Sequence, residues 1–231
     1  MESIMKVSTT AIWDSFVRGY HWLQVLCIGG LWYTGTEGLM DWHFAIAYFL
    51  LTLLLTRIIW GFIGSDTAKF LLFVRSPRAV LQYFQSMRKK KNDDVHLGHN
   101  PAGGYMVLGF FILLTTQLIT GLFANDDIIS EGPLAMYITG EESSLMTEIH
   151  ALNFDVMLGA IILHLVAIFF YLYKKDNLIK PMLNGRKETV TEVDTDAAPK
   201  MVNGLIGWIV FATIGSAVYS YLAKDIVAYL F

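Results

Sequence analysis

The run from Thr147 to Lys175, TEIHALNFDVMLGAIILHLVAIFFYLYKK, is mixed in its first half and almost wholly apolar in its second. It is long enough for one membrane-spanning helix. Two histidines, His150 and His164, lie fourteen residues apart on it. At about 100° and 1.5 Å per residue, their rings fall roughly 40° apart on one face and about 21 Å apart along the axis. One helix thus offers imidazoles at two depths in a bilayer, as two stacked cofactors, one near each surface, would need. The alternative is two unrelated helix histidines, but histidine inside a membrane span is rare and usually functional.

The rest of the composition agrees with a lipid environment. Of 231 residues, 55% are hydrophobic and only 16% charged, and the mean hydropathy is +0.49. That is a membrane protein's balance, not a soluble domain's. The single cysteine, Cys27, sits in an apolar run. There is no disulfide framework, no cysteine-pair metal site and no C-x-x-C-H attachment sequence, so a bound haem would be held by axial ligands and packing alone. No nucleic-acid partner is expected.

In chain order, residues 1–12 lack a basic leader and a small-residue cleavage site, so no removable signal peptide is expected. Spans are predicted at about 13–35, 42–63, 103–124 and 148–173. Trp13, Trp22, Trp32 and Tyr33 supply candidate interfacial anchors. His21 lies about two turns inside the first span. His43 opens the second, with Arg57 fourteen residues on. Within 64–102, Ser76 and Pro77 suit a helix start. Ala79, Val80, Tyr83, Phe84 and Met87 then recur at helical spacing before Arg88, Lys89, Lys90 and Lys91. This reads as a short amphipathic helix on the membrane surface. Residues 125–147 read as an acidic connector and 186–202 as a cytoplasmic linker. A fifth span, about 203–223, carries Gly204, Gly207, Gly215, Ser216 and Ala217, small residues suited to close helix contact. A short periplasmic tail completes 203–231. The fold expected is an all-α integral membrane protein: a four-helix domain over 1–185, plus a fifth transmembrane helix.

Charge orients it. Sixteen of the seventeen lysines and arginines fall on the N-terminal side, and only Lys224 falls opposite. The positive-inside rule makes the N-terminus cytoplasmic and the C-terminus periplasmic, in a bacterial inner membrane. His21 then lies in the inner half and His43 at the outer end, while His150 is outer and His164 inner. Depth pairs His21 with His164 and His43 with His150. Each pair joins two helices at a level where an iron porphyrin could sit edge-on. Two neutral imidazoles on the axial positions give six-coordinate, low-spin iron suited to electron transfer.

These residues also carry a family resemblance. R-x-x-H-W at Arg18, His21 and Trp22 resembles the first helix of the prokaryotic cytochrome b561 and hydrogenase-type diheme cytochrome b superfamily. So do His43 with Arg57, Trp60, Gly61 and Phe62, the HNPAGG run from His99 to Gly104, and the paired histidines of the fourth span. The resemblance covers residues 13 to about 185. It implies a four-helix core with two non-covalent bis-histidine haem b groups, carrying electrons between the membrane quinone pool and a redox partner.

Other residues have two readings each. Arg57 either snorkels from the end of its helix or meets a propionate of the inner haem. His96 and His99 are solvated loop histidines, or they exchange protons beside a quinone on the inner side. Asp155 lies about 140° around the helix from His150, so it bonds a neighbouring helix or water, or transfers protons. Gly159 leaves room for a porphyrin edge or serves helix packing. No catalytic residue is assigned; quinone oxidoreductase activity stays open, as do a small substrate such as superoxide and the role of membrane anchor for a larger redox complex. The outer connectors carry Glu37, Asp41, Asp126, Asp127, Glu131, Glu141, Glu142 and Glu148, and no lysine or arginine. An acidic face disfavours an anionic substrate and favours a basic periplasmic carrier such as a c-type cytochrome. Alternatively, acids collect outside only because basic residues are retained inside.

Overall fold

The computed structural model of the chain describes residues 8–88, 97–126, 128–189 and 198–231. It is mostly helical. Strand β1 (Ser8–Ala11) precedes helices α1 (Ser15–Thr36) and α2 (Met40–Ile63), a 3-10 turn at Asp66–Ala68, the one-turn helix α3 (Phe70–Phe73), and α4 (Pro77–Arg88). Then come α5 (Pro101–Phe123), a 3-10 turn at Ala135–Tyr137, α6 (Gly140–Tyr173), α7 (Ile179–Asn184) and β2 (Arg186–Thr189). The last stretch is α8 (Gly204–Val218), a π-helical turn at Tyr219–Ala223, and α9 (Lys224–Leu230).

Among the described residues, four segments are long and apolar enough to cross a membrane: α2, α5, α6 and the continuous stretch Gly204–Leu230. Five were expected. The first, α1, is a helix of 22 residues, but Arg18, His21, Gln24 and four glycines dilute its apolar character, and it is not among the four.

Side-chain caps set the helix starts. Asp14 Oδ1 accepts the Val17 amide at 2.8 Å ahead of α1, Ser76 Oγ the Ala79 amide at 3.3 Å, and Asn100 Oδ1 the Gly103 amide at 2.7 Å. Helix α6 starts earlier than the predicted 148. The Thr139 amide donates to Glu142 Oε2 at 2.8 Å and the Glu142 amide to Thr139 Oγ1 at 3.2 Å. This reciprocal cap, with a carboxylate at the positive helix end, draws residues 140–147 of the expected connector into the helix. The expected tail after 223 is likewise helical, to Leu230.

The all-α expectation also missed a short antiparallel pairing, Ser8 opposite Thr189 through Ala11 opposite Arg186. Four residues are too few to show strand periodicity, and the pairing satisfies backbone groups that no helix uses. It takes the first residues of the expected linker, while 190–197 lie outside the described residues.

The chain forms two compact units. The first comprises Met1–His21, Arg57–Leu108 and Ala167–Ile209; the second Trp22–Thr56, Gly109–Val166 and Val210–Phe231. In the first, Phe16 is wholly buried, with ring centres 5.4 Å from Trp60 and 5.2 Å from Trp208. A Cβ at Gly207 would strike the Phe16 ring at 2.5 Å, and one at Gly204 would strike Ser15 and the Phe16 backbone. Glycine therefore lets the start of α8 lie against the start of α1. Trp13 belongs to this core, at 8% exposure, and is not an interfacial anchor. In the second unit Leu50, Leu53, Leu54, Leu114 and Met157 are buried. Asn153 Nδ2 there donates to Leu113 O at 2.9 Å and Gln117 Oε1 at 2.6 Å.

Candidate functional site

His43 and His150 meet in the second unit, ring centres 6.4 Å apart and planes inclined by 63°. His43 Nδ1 lies 3.1 Å from Leu31 O and 3.3 Å from Thr34 Oγ1. His150 Nδ1 lies 3.0 Å from Gln117 O and 3.2 Å from Thr120 Oγ1. A carbonyl can only accept, so each Nδ1 carries the hydrogen, and a neutral ring then keeps its lone pair on Nε2. Close behind the rings are glycines: a Cβ at Gly35 would come within 3.3 Å of His43, and one at Gly121 within 2.9 Å of His150.

That geometry fits an axial pair. Two imidazole–metal bonds of about 2 Å, with the distance from each nitrogen to its ring centre, span about 6 Å between ring centres. Metal-binding histidines characteristically donate their other ring N–H to a carbonyl or similar acceptor. Among the described residues no three of His, Cys, Asp and Glu converge on one point. The chemistry on offer is two neutral nitrogen donors, a set that would suit haem iron.

Of the other predicted ligands, His21 stands half-buried on α1 in the first unit. His164 stands half-buried on α6 in the second, its ring centre 5.9 Å from that of Phe110.

Arg57 does not snorkel. It is 2% exposed, its Nη2 donates to Ala68 O at 3.2 Å, and its guanidinium carbon lies 6.0 and 5.6 Å from the ring centres of Tyr20 and Phe70. His99 is not a solvated loop residue either. Its ring packs against Trp13 at 4.7 Å and Phe73 at 4.8 Å, with Nδ1 buried and lacking a hydrogen-bond partner. Burial, then the nearby Arg57 charge, push its pKa down to about 3 against a hydrogen bond with the Thr67 backbone. The ring is neutral at physiological pH, which ill suits it to proton exchange. His96, Lys89, Lys90, Lys91 and Asp127 lie outside the described residues.

Asp155 and Gly159 are exposed on α6 beside the exposed Leu152, Val156 and Ile162. Gly159 is nine residues from His150, about 180° around the helix, and a Cβ there would meet nothing within 4 Å. Packing among the described residues does not require glycine at that point. Among the connector acids, Asp126 accepts the amides of Ile128, Ile129 and Ser130 at 3.0, 2.9 and 2.8 Å, and these bonds pull its pKa down to about 2.

Sequence reasoning missed Asp14, a carboxylate at 6% exposure. Its Oδ2 accepts Trp60 Nε1 at 3.1 Å and Ser65 Oγ at 2.6 Å. Its position just before the first apolar run was the available signal. Thr34 and Thr120 were missed as well, although each sits in a visible Thr-Gly pair within an apolar run.

Comparison with known proteins identifies the family. Residues 12–185 match the family model described as prokaryotic cytochrome b561, a range holding all four candidate ligands. The chain is also 24% identical over 210 residues to the probable Ni/Fe-hydrogenase 1 B-type cytochrome subunit of Escherichia coli K12. The protein of the same description in Escherichia coli O157:H7 gives the same identity, and in each case the alignment covers 75% of this chain and 88% of the relative. Matched over residues 12–185 and with four membrane-capable helices among the described residues, the chain belongs to the prokaryotic cytochrome b561 family of electron-transferring membrane b-type cytochromes.

Proposed function

We propose that this chain holds two haem b groups and carries electrons between the membrane quinone pool and a redox protein at the periplasmic face. The observation that carries the reading is the His43–His150 pair, 6.4 Å between ring centres with both Nδ1 atoms already engaged. One haem is assigned to these two residues and the other to His21 and His164, by their depth in the sequence. Haem held by these histidines would supply one-electron chemistry. The chain's part is to hold the imidazoles neutral and oriented. Arg57, buried and charged, is assigned to a propionate of the second haem.

In this reading α1 also crosses the membrane, making five crossings, with the N-terminus cytoplasmic and the C-terminus periplasmic in a bacterial inner membrane. Residues 1–185 form the electron-carrying domain, 186–202 the cytoplasmic linker, and 203–231 the fifth crossing with its periplasmic end. A quinone is assigned to the cytoplasmic half near the start of α5. The acidic connectors, Glu37, Asp41 and Glu148 among them, suit a basic carrier such as a c-type cytochrome. A second reading comes from the relatives, which are described as subunits of a hydrogenase: this chain would then receive electrons within a larger redox complex and anchor it. Both readings share the haem core.

The test is a reduced-minus-oxidised spectrum with haem counting on purified protein. Two haems per chain are expected. One haem would remove the second pair, and none would end the reading.

A further inference from the structure

We propose that Thr34 and Thr120 are positioning residues that reinforce the Leu31 and Gln117 carbonyls in holding His43 and His150 in the tautomer and orientation presenting Nε2 as metal ligand. The inference rests on the reading of this pair as a haem site. It starts from a repeat: Leu31-Trp32-Tyr33-Thr34-Gly35 on α1 and Gln117-Leu118-Ile119-Thr120-Gly121 on α5. In each copy the first carbonyl meets the histidine Nδ1, the threonine hydroxyl meets the same atom, and the glycine makes room for the ring. The helices that carry the histidines, α2 and α6, are thus each served by a different helix with the same five-residue pattern. Residues three apart share a helix face, which is why one turn can supply both acceptors.

The direction of each hydroxyl–imidazole hydrogen bond follows from the threonines. Thr34 Oγ1 donates its own hydrogen to Gly30 O at 2.8 Å, with Leu31 O at 3.3 Å. Thr120 Oγ1 donates to Thr116 O at 2.7 Å, with Gln117 O at 3.1 Å. A hydroxyl has one hydrogen, so toward the imidazole it can only accept. Both threonines are buried, at 5% and 4% exposure, and bulk water offers no easy substitute. A ring with its hydrogen on Nε2 would set a lone pair against two oxygens. The two acceptors together exclude that state, and by drawing on the N–H they make the imidazole a stronger donor to a metal.

Thr34→Val and Thr120→Val keep the side-chain shape and remove the acceptor, while Thr34→Ser and Thr120→Ser restore it. The valine variants are expected to hold the His43–His150 haem about tenfold less tightly. They should also raise that haem's midpoint potential, alter its low-spin EPR signal, and leave the other haem's signals in place. The serine variants should return all three properties. Gly35→Ala is a second probe that keeps the hydroxyl and crowds the His43 ring; it should perturb the same haem alone. Valine variants that match the serine variants in retention, potential and line shape would overturn the proposal, as would valine variants that disturb both haems equally. His43→Ala separates the two failures. If it leaves the haem count at two, the haem assignment is wrong; if it removes one haem while the valine variants are silent, only the positioning role is.

Discussion

Two polar clusters in otherwise apolar surroundings handle their groups in opposite ways. At Asp14 the chain uses both carboxylate oxygens itself, one for the Val17 amide and the other for Trp60 Nε1 and Ser65 Oγ. At His43 and His150 it engages Nδ1 of each ring through Leu31, Thr34, Gln117 and Thr120, which leaves Nε2 as the atom that would ligate a metal in the proposed reading. An ionisable residue among apolar helices is therefore not a ligand site merely by being there. A candidate site keeps a donor atom over after its other hydrogen bonds are satisfied, whereas a group whose every bond closes within the chain is a structural tie.

The contrast is open to test, beginning where the effect is largest. His150→Ala should remove one haem outright, with the absorbance of the other retained; a full haem complement measured spectroscopically would break the comparison on the site's side. Asp14→Ala should do the reverse. Losing three hydrogen bonds to a buried carboxylate is expected to cost about 3 kcal/mol of stability, read as earlier thermal unfolding in detergent. The His43–His150 spectrum should hold at temperatures where the variant is folded. A variant as stable as the parent would show that Asp14 ties nothing.

The third test uses pH. The folded pKa of His99, about 3, lies below its ordinary 6.5, so on acidification the unfolded chain binds a proton first. His99 thus contributes stability that is complete above pH 6.5 and declines as the pH falls toward 3, by about 2 kcal/mol at pH 5. Thermal unfolding of the parent and of His99→Gln across that range should converge at low pH. Parallel curves would mean that His99 does not stay neutral inside the fold.

Much of the helical layout was legible in the residues. The apolar runs placed α2 and α5 to within about two residues at each end, the scatter normal for helix boundaries. The start of α6 was not legible by hydropathy, because residues 140–147 are helical through the Thr139–Glu142 cap and not through apolar pattern. The strand pair Ser8–Ala11 with Arg186–Thr189 left no periodic trace, since its partners are far apart in the chain. At the site, the meeting of His43 with His150 followed from depth alone. The environments of Arg57 and His99 did not follow, because a polar residue near a span end reads the same whether it turns outward to water or inward against aromatic rings.

The membrane class and most of the helical segments are written in the residues themselves, because rise and rotation per residue are local properties of a helix. Packing between helices fixes which atoms His43 and His150 bond. His43 meets a carbonyl 12 residues away and His150 one 33 residues away, on other helices. The same holds for Asp14, whose partners Trp60 and Ser65 lie 46 and 51 residues along the chain. Such pairings depend on how helices are rotated and stacked against one another, which is set by the packing of whole surfaces and not by any short run of residues.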